Sequence, residues 1–181
     1  MKRVKKETKE KIMDVIEKAG DSENYETSWN EKGIPYKIKK KSEIKKGRKA
    51  KSKGAKFELM VRWDLESKGR IVDKWSNNVD LEKGELIIAK RKFNPFSKVM
   101  TIGTGFPDFI SIKHVHDGLY SVIGVEVKTN GILSKTEKEK CAWYLKKGIF
   151  SQIWIAQKGK KRGEIKYDDF AEKYGKKYNK V

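Results

Sequence analysis

Two β-rich runs joined by a tight turn limit the folds open to this chain more than any other feature. Residues 108–115 and 120–128 are apolar and rich in β-branched side chains, and His116-Asp117-Gly118 between them has hairpin-loop composition. A three-residue loop with Gly118 left-handed pairs Val115 with Leu119, so that opposing residue numbers sum to 234. Asp108 then lies opposite Glu126 on one face. A two-residue Asp-Gly turn makes the sum 235 and puts the two carboxylates on opposite faces. Glu126 and Lys128 share a face in either register, being two apart on one strand. The three-residue register thus predicts two carboxylates and an ammonium at one end of a hairpin.

Such a cluster has a chemical use. Two carboxylates on a rigid edge make a hard-oxygen site for Mg²⁺ or Mn²⁺. A metal there can bind a phosphodiester oxygen, acidify a water and neutralise a pentavalent transition state. Lys128 can orient the attacking water or stabilise developing negative charge. The plain alternative is a surface ion pair between Glu126 and Lys128, with Asp108 capping a loop.

The flanking elements read as an α/β domain. Residues 55–67 form an amphipathic helix that ends at Gly69, and Glu58 sits on its stripe with Val61 and Leu65. A glutamate there either packs its stem and turns its head to water or Arg62, or points into the metal site. Residues 70–75 and 86–92 are strand candidates, the second entered by a Lys83-Gly84 turn, and Asn94-Pro95 breaks the chain. Residues 134–147 read as a helix capped by Ser134 and stopped by Gly148. Residues 152–156 are a short apolar strand. The order is α-β-β-β-β-α-β, a mixed α/β class with at least one antiparallel hairpin.

Charge divides the rest. The chain has 44 Lys plus Arg against 25 Asp plus Glu in 181 residues, a formal net charge of +19. Residues 1–36 are neutral, with eight bases and eight acids. Residues 37–56 carry eleven bases and Glu43 alone, or +10. This gives three segments: an N-terminal appendage over 1–36, a basic linker or arm over 37–53, and a main domain over 54–181. The appendage holds one helix, from Ile12, Val15, Ile16 and Ala19 with a stop at Gly20. The arm, with Lys45, Lys46, Arg48, Lys49, Lys51 and Lys53, suits phosphate neutralisation as well as solvation. An excess of this size points to a polyanion, nucleic acid before membrane surface.

Several classes fall away. One cysteine, Cys141, excludes an internal disulfide and a cysteine-rich zinc site. No apolar run reaches the roughly 18 residues of a membrane span, and no secretory signal is visible. A soluble cytoplasmic protein without membrane partners is expected.

At Pro107-Asp108, followed after seventeen residues by Glu126-Val127-Lys128, the chain resembles the PD-(D/E)xK nuclease superfamily. Gly105-Phe106-Pro107-Asp108 brings it nearest to the archaeal and viral Holliday-junction-resolvase-like members. The resemblance covers residues 54–157. It implies a restriction-endonuclease-like core, a central mixed sheet flanked by helices. It implies Asp108 and Glu126 as metal ligands, the Val127 carbonyl completing the shell, Lys128 as the catalytic lysine, and Glu58 as a further acidic ligand. It implies a Mg²⁺-dependent endodeoxyribonuclease, with Mn²⁺ able to substitute, acting as a homodimer on branched DNA. The alternatives are a flap, end-processing or restriction-type nuclease, and an inactive basic DNA-binding protein. One departure stands out: about fifty residues separate Glu58 from Asp108. The added stretch reads as an extra hairpin, either a solvated edge or a DNA-contacting flap.

Other residues have two readings. Lys135 and Lys138 can reach DNA or form a solvated helix face. Thr129 and Asn130 can hold phosphate or shape a turn. Ser76, Asn77 and Asn78 form a polar loop that can face substrate. His114 and His116 lack a third zinc ligand. Trp63, Trp75, Trp143 and Trp154 read as core by spacing, and Cys141 as buried and inert.

Overall fold

The computed structural model describes residues 6–95, 98–102 and 105–178. It comprises two compact units, one ending at Lys53 and one beginning at Gly54. Residues 1–5 of the expected appendage lie outside the described residues. Among the described residues no helix is long and apolar enough to cross a membrane.

In the N-terminal unit, α1 (Lys6–Gly20) stops at the expected glycine. Ala19 is buried, but Ile12, Val15 and Ile16 of the same stripe are exposed. A hairpin follows, β1 (Tyr25–Trp29) and β2 (Pro35–Lys40), with Tyr25 opposite Lys40. Its polar sequence lacks the clean alternation that announces strands. Residues 37–53, the basic linker or arm of the sequence reading, take regular structure. Lys37–Lys40 complete β2, and Lys41 opens α2 (Lys41–Ser67), a helix of 27 residues and about 40 Å. The expected helix over 55–67 is its C-terminal part. Lys, Arg, Ala and Glu favour helix without an apolar stripe, and here they outweigh Gly47 and Gly54.

The second unit is built on a mixed five-stranded sheet, and with four helices among the described residues the class is α/β. The sheet contains β3 (Ile71–Lys74), β8 (Phe109–His116), β9 (Leu119–Val127), β10 (Gln152–Lys158) and β11 (Ile165–Asp169), in the order β11-β10-β9-β8-β3. Only β9 and β10 are parallel. A parallel pair needs a crossover, which α3 (Lys135–Lys146) supplies. A final helix, α4 (Phe170–Tyr178), follows β11. On one face Phe57, Val61 and Leu65 of α2 pack on Val72, Phe109, Ile123, Val125 and Ala156. Each fully buried side chain there contributes about 1.5–3 kcal/mol. On the other face Cys141 and Tyr144 of α3 and Phe170 of α4 pack with Ile153, Ile155, Phe106 and Phe150. The strands alternate between these cores, so Trp154 and Ala156 face α2 while Ile153 and Ile155 face α3.

Between β3 and β8 the chain makes two small hairpins, not one. They are β4 (Asn78–Asp80) with β5 (Glu85–Ile87), and β6 (Arg91–Asn94) with β7 (Val99–Ile102). The single strand expected over 86–92 is therefore split. Trp63 is 60% exposed, which corrects its placement in the core. It lies two residues from Val61, on the opposite side of α2.

Candidate active site

The β8–β9 hairpin realises both turn geometries in part. His116 pairs with Leu119 across a two-residue Asp117-Gly118 turn, with Gly118 at φ 74°. The expected Val115–Leu119 pairing does not form. Val115 is instead the extra residue of a bulge, and from His114–Tyr120 onward opposing numbers sum to 234. Phe109 is accordingly opposite Val125, and one step further Asp108 meets Glu126. The Asp108 N–H donates to Glu126 Oε2 at 3.2 Å, and the Val127 N–H donates to Asp108 Oδ2 at 2.9 Å.

The segment before Asp108 is fixed by close backbone packing. A Cβ on Gly105 would collide with the carbonyl oxygens of Trp75 and Asn77. The Phe106 N–H donates to the Asn77 carbonyl at 2.9 Å, and the Phe106 and Pro107 side chains are buried. Gly124 admits Pro107: a Cβ there would lie 2.8 Å from the proline Cγ. Asp108 thus leaves a rigid turn at the sheet end.

Glu126 is 4% exposed. Its Oε1 lies 3.0 Å from Lys128 Nζ. Burial, then the neighbouring Asp108 charge, pushes its carboxyl up to about 8. Burial also raises Asp108, helped by the charge of Glu58 and opposed by the Val127 N–H. Glu58 is on α2, and its Oε2 accepts a hydrogen bond from Lys74 Nζ at 2.8 Å. It therefore engages Lys74 and not Arg62, which bonds Glu66 and the Val72 carbonyl.

Sequence reading missed Glu137. Its Oε1 accepts from Lys128 Nζ at 2.6 Å, and its Oε2 accepts from the Ser134 N–H at 2.7 Å. Ser134 Oγ accepts from the Glu137 N–H in return, completing a capping box on α3. Partial burial works to raise Glu137, but the hydrogen bonds with Lys128 and Ser134 and the Lys128 charge together outweigh it, and the carboxyl stays below the usual range. Burial likewise works against the Lys128 ammonium. Its hydrogen bonds to Glu137 and Glu126 prevail and hold it firmly protonated. Glu126 is thus the group that yields its charge, while the Lys128–Glu137 pair stays ionised. Ser134-x-x-Glu137 was available in the sequence as a capping signal. Its contact with Lys128 depends on the sheet.

Asp108 and Glu126 sit side by side at a largely buried sheet end, with the Lys128 and Lys74 ammoniums acting on Asp108. A divalent cation there would compete with the proton for the two carboxyls. Among the described residues no group of three or more His, Cys, Asp or Glu is set to hold a metal by itself. Mg²⁺ ordinarily takes one or two carboxylates and fills its shell with water and substrate phosphate.

The remaining expectations divide. Glu58, Asp108, Glu126, Val127 and Lys128 belong to this one end of the second unit. Lys45, Lys46, Arg48, Lys49, Lys51 and Lys53 lie on the first half of α2, all exposed. On α3, Lys135 is 87% exposed, while Lys138 places Nζ 4.6 Å from the Tyr174 ring centroid. The Asn77 side chain accepts from the Ala89 N–H, that of Asn78 from Lys140 Nζ, and that of Asn130 from the Ile132 N–H. Those side chains shape loops. His114 packs edge-on against Tyr120 at 5.3 Å. Cys141 is buried and its thiol is pushed up by burial.

A scan against models of protein families, a search of curated proteins and a search of solved structures find no match to this chain.

Proposed function

We propose that this chain is a metal-dependent DNA endonuclease of PD-(D/E)xK type that hydrolyses phosphodiester bonds, with branched DNA as substrate. The observation that carries the reading is the convergence of Asp108, Glu126 and Lys128 at one sheet end, with Glu58 close enough to influence Asp108. The succession from α2 through β3, β8 and β9 to α3 and β10 supports it, being the order of a restriction-endonuclease-like core. Asp108, Glu126, the Val127 carbonyl and Glu58 would hold Mg²⁺, which supplies Lewis acidity and an acidified water. Asp108 is oriented by the Val127 N–H and Glu126 by the Asp108 N–H. Lys128, permanently charged, stabilises negative charge developing on the phosphate. Glu137 fixes the direction of Lys128. The basic surface of the N-terminal unit binds the phosphate backbone. A homodimer fits two symmetric cuts.

One observation favours a second reading. Lys128 is engaged by two carboxylates at once, as in a structural ion-pair network, and this fits a DNA-binding protein with an inactive site. The experiment compares four-way junction, flap, linear duplex and single-stranded DNA, each with Mg²⁺ or EDTA, for wild type and Asp108→Ala. Paired junction nicks that need Mg²⁺ and Asp108 are expected. Flap or end cleavage would keep the site and change the substrate. Tight binding with no cut under Mg²⁺ or Mn²⁺ would favour the second reading.

A further inference from the structure

The insert between β3 and β8 presents a surface that the core does not use. β6 and β7 form a two-stranded hairpin outside the five-stranded sheet. Phe93 and Met100 are directly opposed, so both project from one face of it. They are 60% and 54% exposed. An apolar hairpin face ordinarily packs on a core, because two strands alone are marginal in water. This pair instead faces solvent. Residues 86–107 include Lys90, Arg91, Lys92 and Lys98 and no acid. A nucleic-acid strand matches such a surface twice, with apolar base faces for the Phe93–Met100 pair and phosphates for the positive charge around it. A second copy of this chain would bring like charge against it.

The excursion is pinned beside the candidate site. Asn77 Oδ1 accepts from the Ala89 N–H at 3.0 Å, just before β6. The Asn77 carbonyl accepts from the Phe106 N–H at 2.9 Å, just after β7 and two residues before Asp108. One residue thus ties both ends of the hairpin to the strand end that carries Asp108.

We propose that the Phe93–Met100 pair on β6 and β7 is a wedge for a DNA branch point. Phe93 and Met100 enter an opened base step, and Lys90 and Arg91 hold the flanking phosphates. The wedge rests on the nuclease reading for its substrate, but its test does not use cleavage. Full-length protein is bound in EDTA to a four-way junction and to linear duplex, and thymine reactivity to permanganate is mapped. Branch-point thymines become hyperreactive with wild type. Phe93→Ala with Met100→Ala loses that signal and about tenfold of the junction-over-duplex preference. Phe93→Trp restores both. Unchanged reactivity and preference in the double variant overturn the wedge. A dimer that Phe93→Ala dissolves, with the footprint intact, also overturns it. A footprint with no Mg²⁺-dependent cleavage supports the wedge and removes the nuclease reading, so the two failures are distinct.

Discussion

The first half of α2 and the end of β9 handle charge in opposite ways. From Lys41 to Lys53 seven bases meet one acid, all seven are exposed, and none forms an ion pair among the described residues. At the end of β9 every charge is engaged. Glu126 meets Lys128 and the Asp108 N–H, Asp108 meets the Val127 N–H, and Lys128 meets Glu137. Exposed charge without a counter-ion in the protein stays fully hydrated and acts at long range, so it suits an extended polyanion. Charge gathered where water is scarce shifts its own proton equilibria and suits chemistry at one atom. Position decides the role, since lysine serves in both places.

The largest test of this contrast removes a buried charge. Glu126→Gln keeps the shape and deletes a carboxylate, and is expected to lower Mg²⁺-dependent cleavage by about 10³-fold or more, read as single-turnover rate. The next removes exposed charge. Changing Lys45, Arg48, Lys49 and Lys51 to Gln is expected to weaken DNA binding about 10- to 100-fold with the rate on saturated substrate unchanged. The plot of log K against log salt should flatten by about 0.9 for each phosphate no longer neutralised. If the rate falls and the salt slope holds, the division between the regions is wrong. Third, Glu137→Ala frees Lys128 and opens the capping box. Cleavage should slow about tenfold and melting fall by a few degrees, from a cap worth about 1 kcal/mol. Glu137→Gln, which keeps the cap, should recover the stability.

The smallest effect is on pH. Glu126 titrates near 8 when folded, above its unfolded value of 4.5. The folded state therefore holds this proton more tightly than the unfolded chain. Its contribution to stability is complete below about 4.5 and is lost as pH rises through about 8. In EDTA the melting temperature should decline from pH 5 to pH 8, and Glu126→Gln should flatten that decline. Mg²⁺ should raise the melting temperature at pH 8 more than at pH 5, because it competes with the proton for the same carboxylate.

Much of the site is legible from residue order because strand pairing is periodic. Once the hairpin register is set, Asp108 and Glu126 must share a face. Val115 shows how narrow that margin is. The tip is a two-residue turn, and a single bulged residue restores the register that brings the carboxylates together. α3 is legible from Ser134 and Gly148, which act locally. Other features need more than local signals. The helix from Lys41 has no apolar stripe until Phe57, so only its propensity marks it. β1 and β2 lack alternation, and β11 and α4 are short and polar enough to escape a periodicity reading. Trp63 is an error of a different kind, since its spacing from Val61 already turns it outward. The link from Glu137 to Lys128 joins a helix cap to a strand end, and no pattern within either segment contains it.

The most direct measurement is single-turnover cleavage of a four-way junction by wild type and Glu126→Gln, in Mg²⁺ and in EDTA, with junction affinity measured alongside. Wild type should cut only with Mg²⁺, while the variant binds the junction within about twofold of wild type and cuts at least about 10³-fold more slowly. A variant that cuts at the wild-type rate, or a wild type that binds the junction and cuts it under neither condition, would contradict the assignment of Asp108 and Glu126 to phosphodiester hydrolysis.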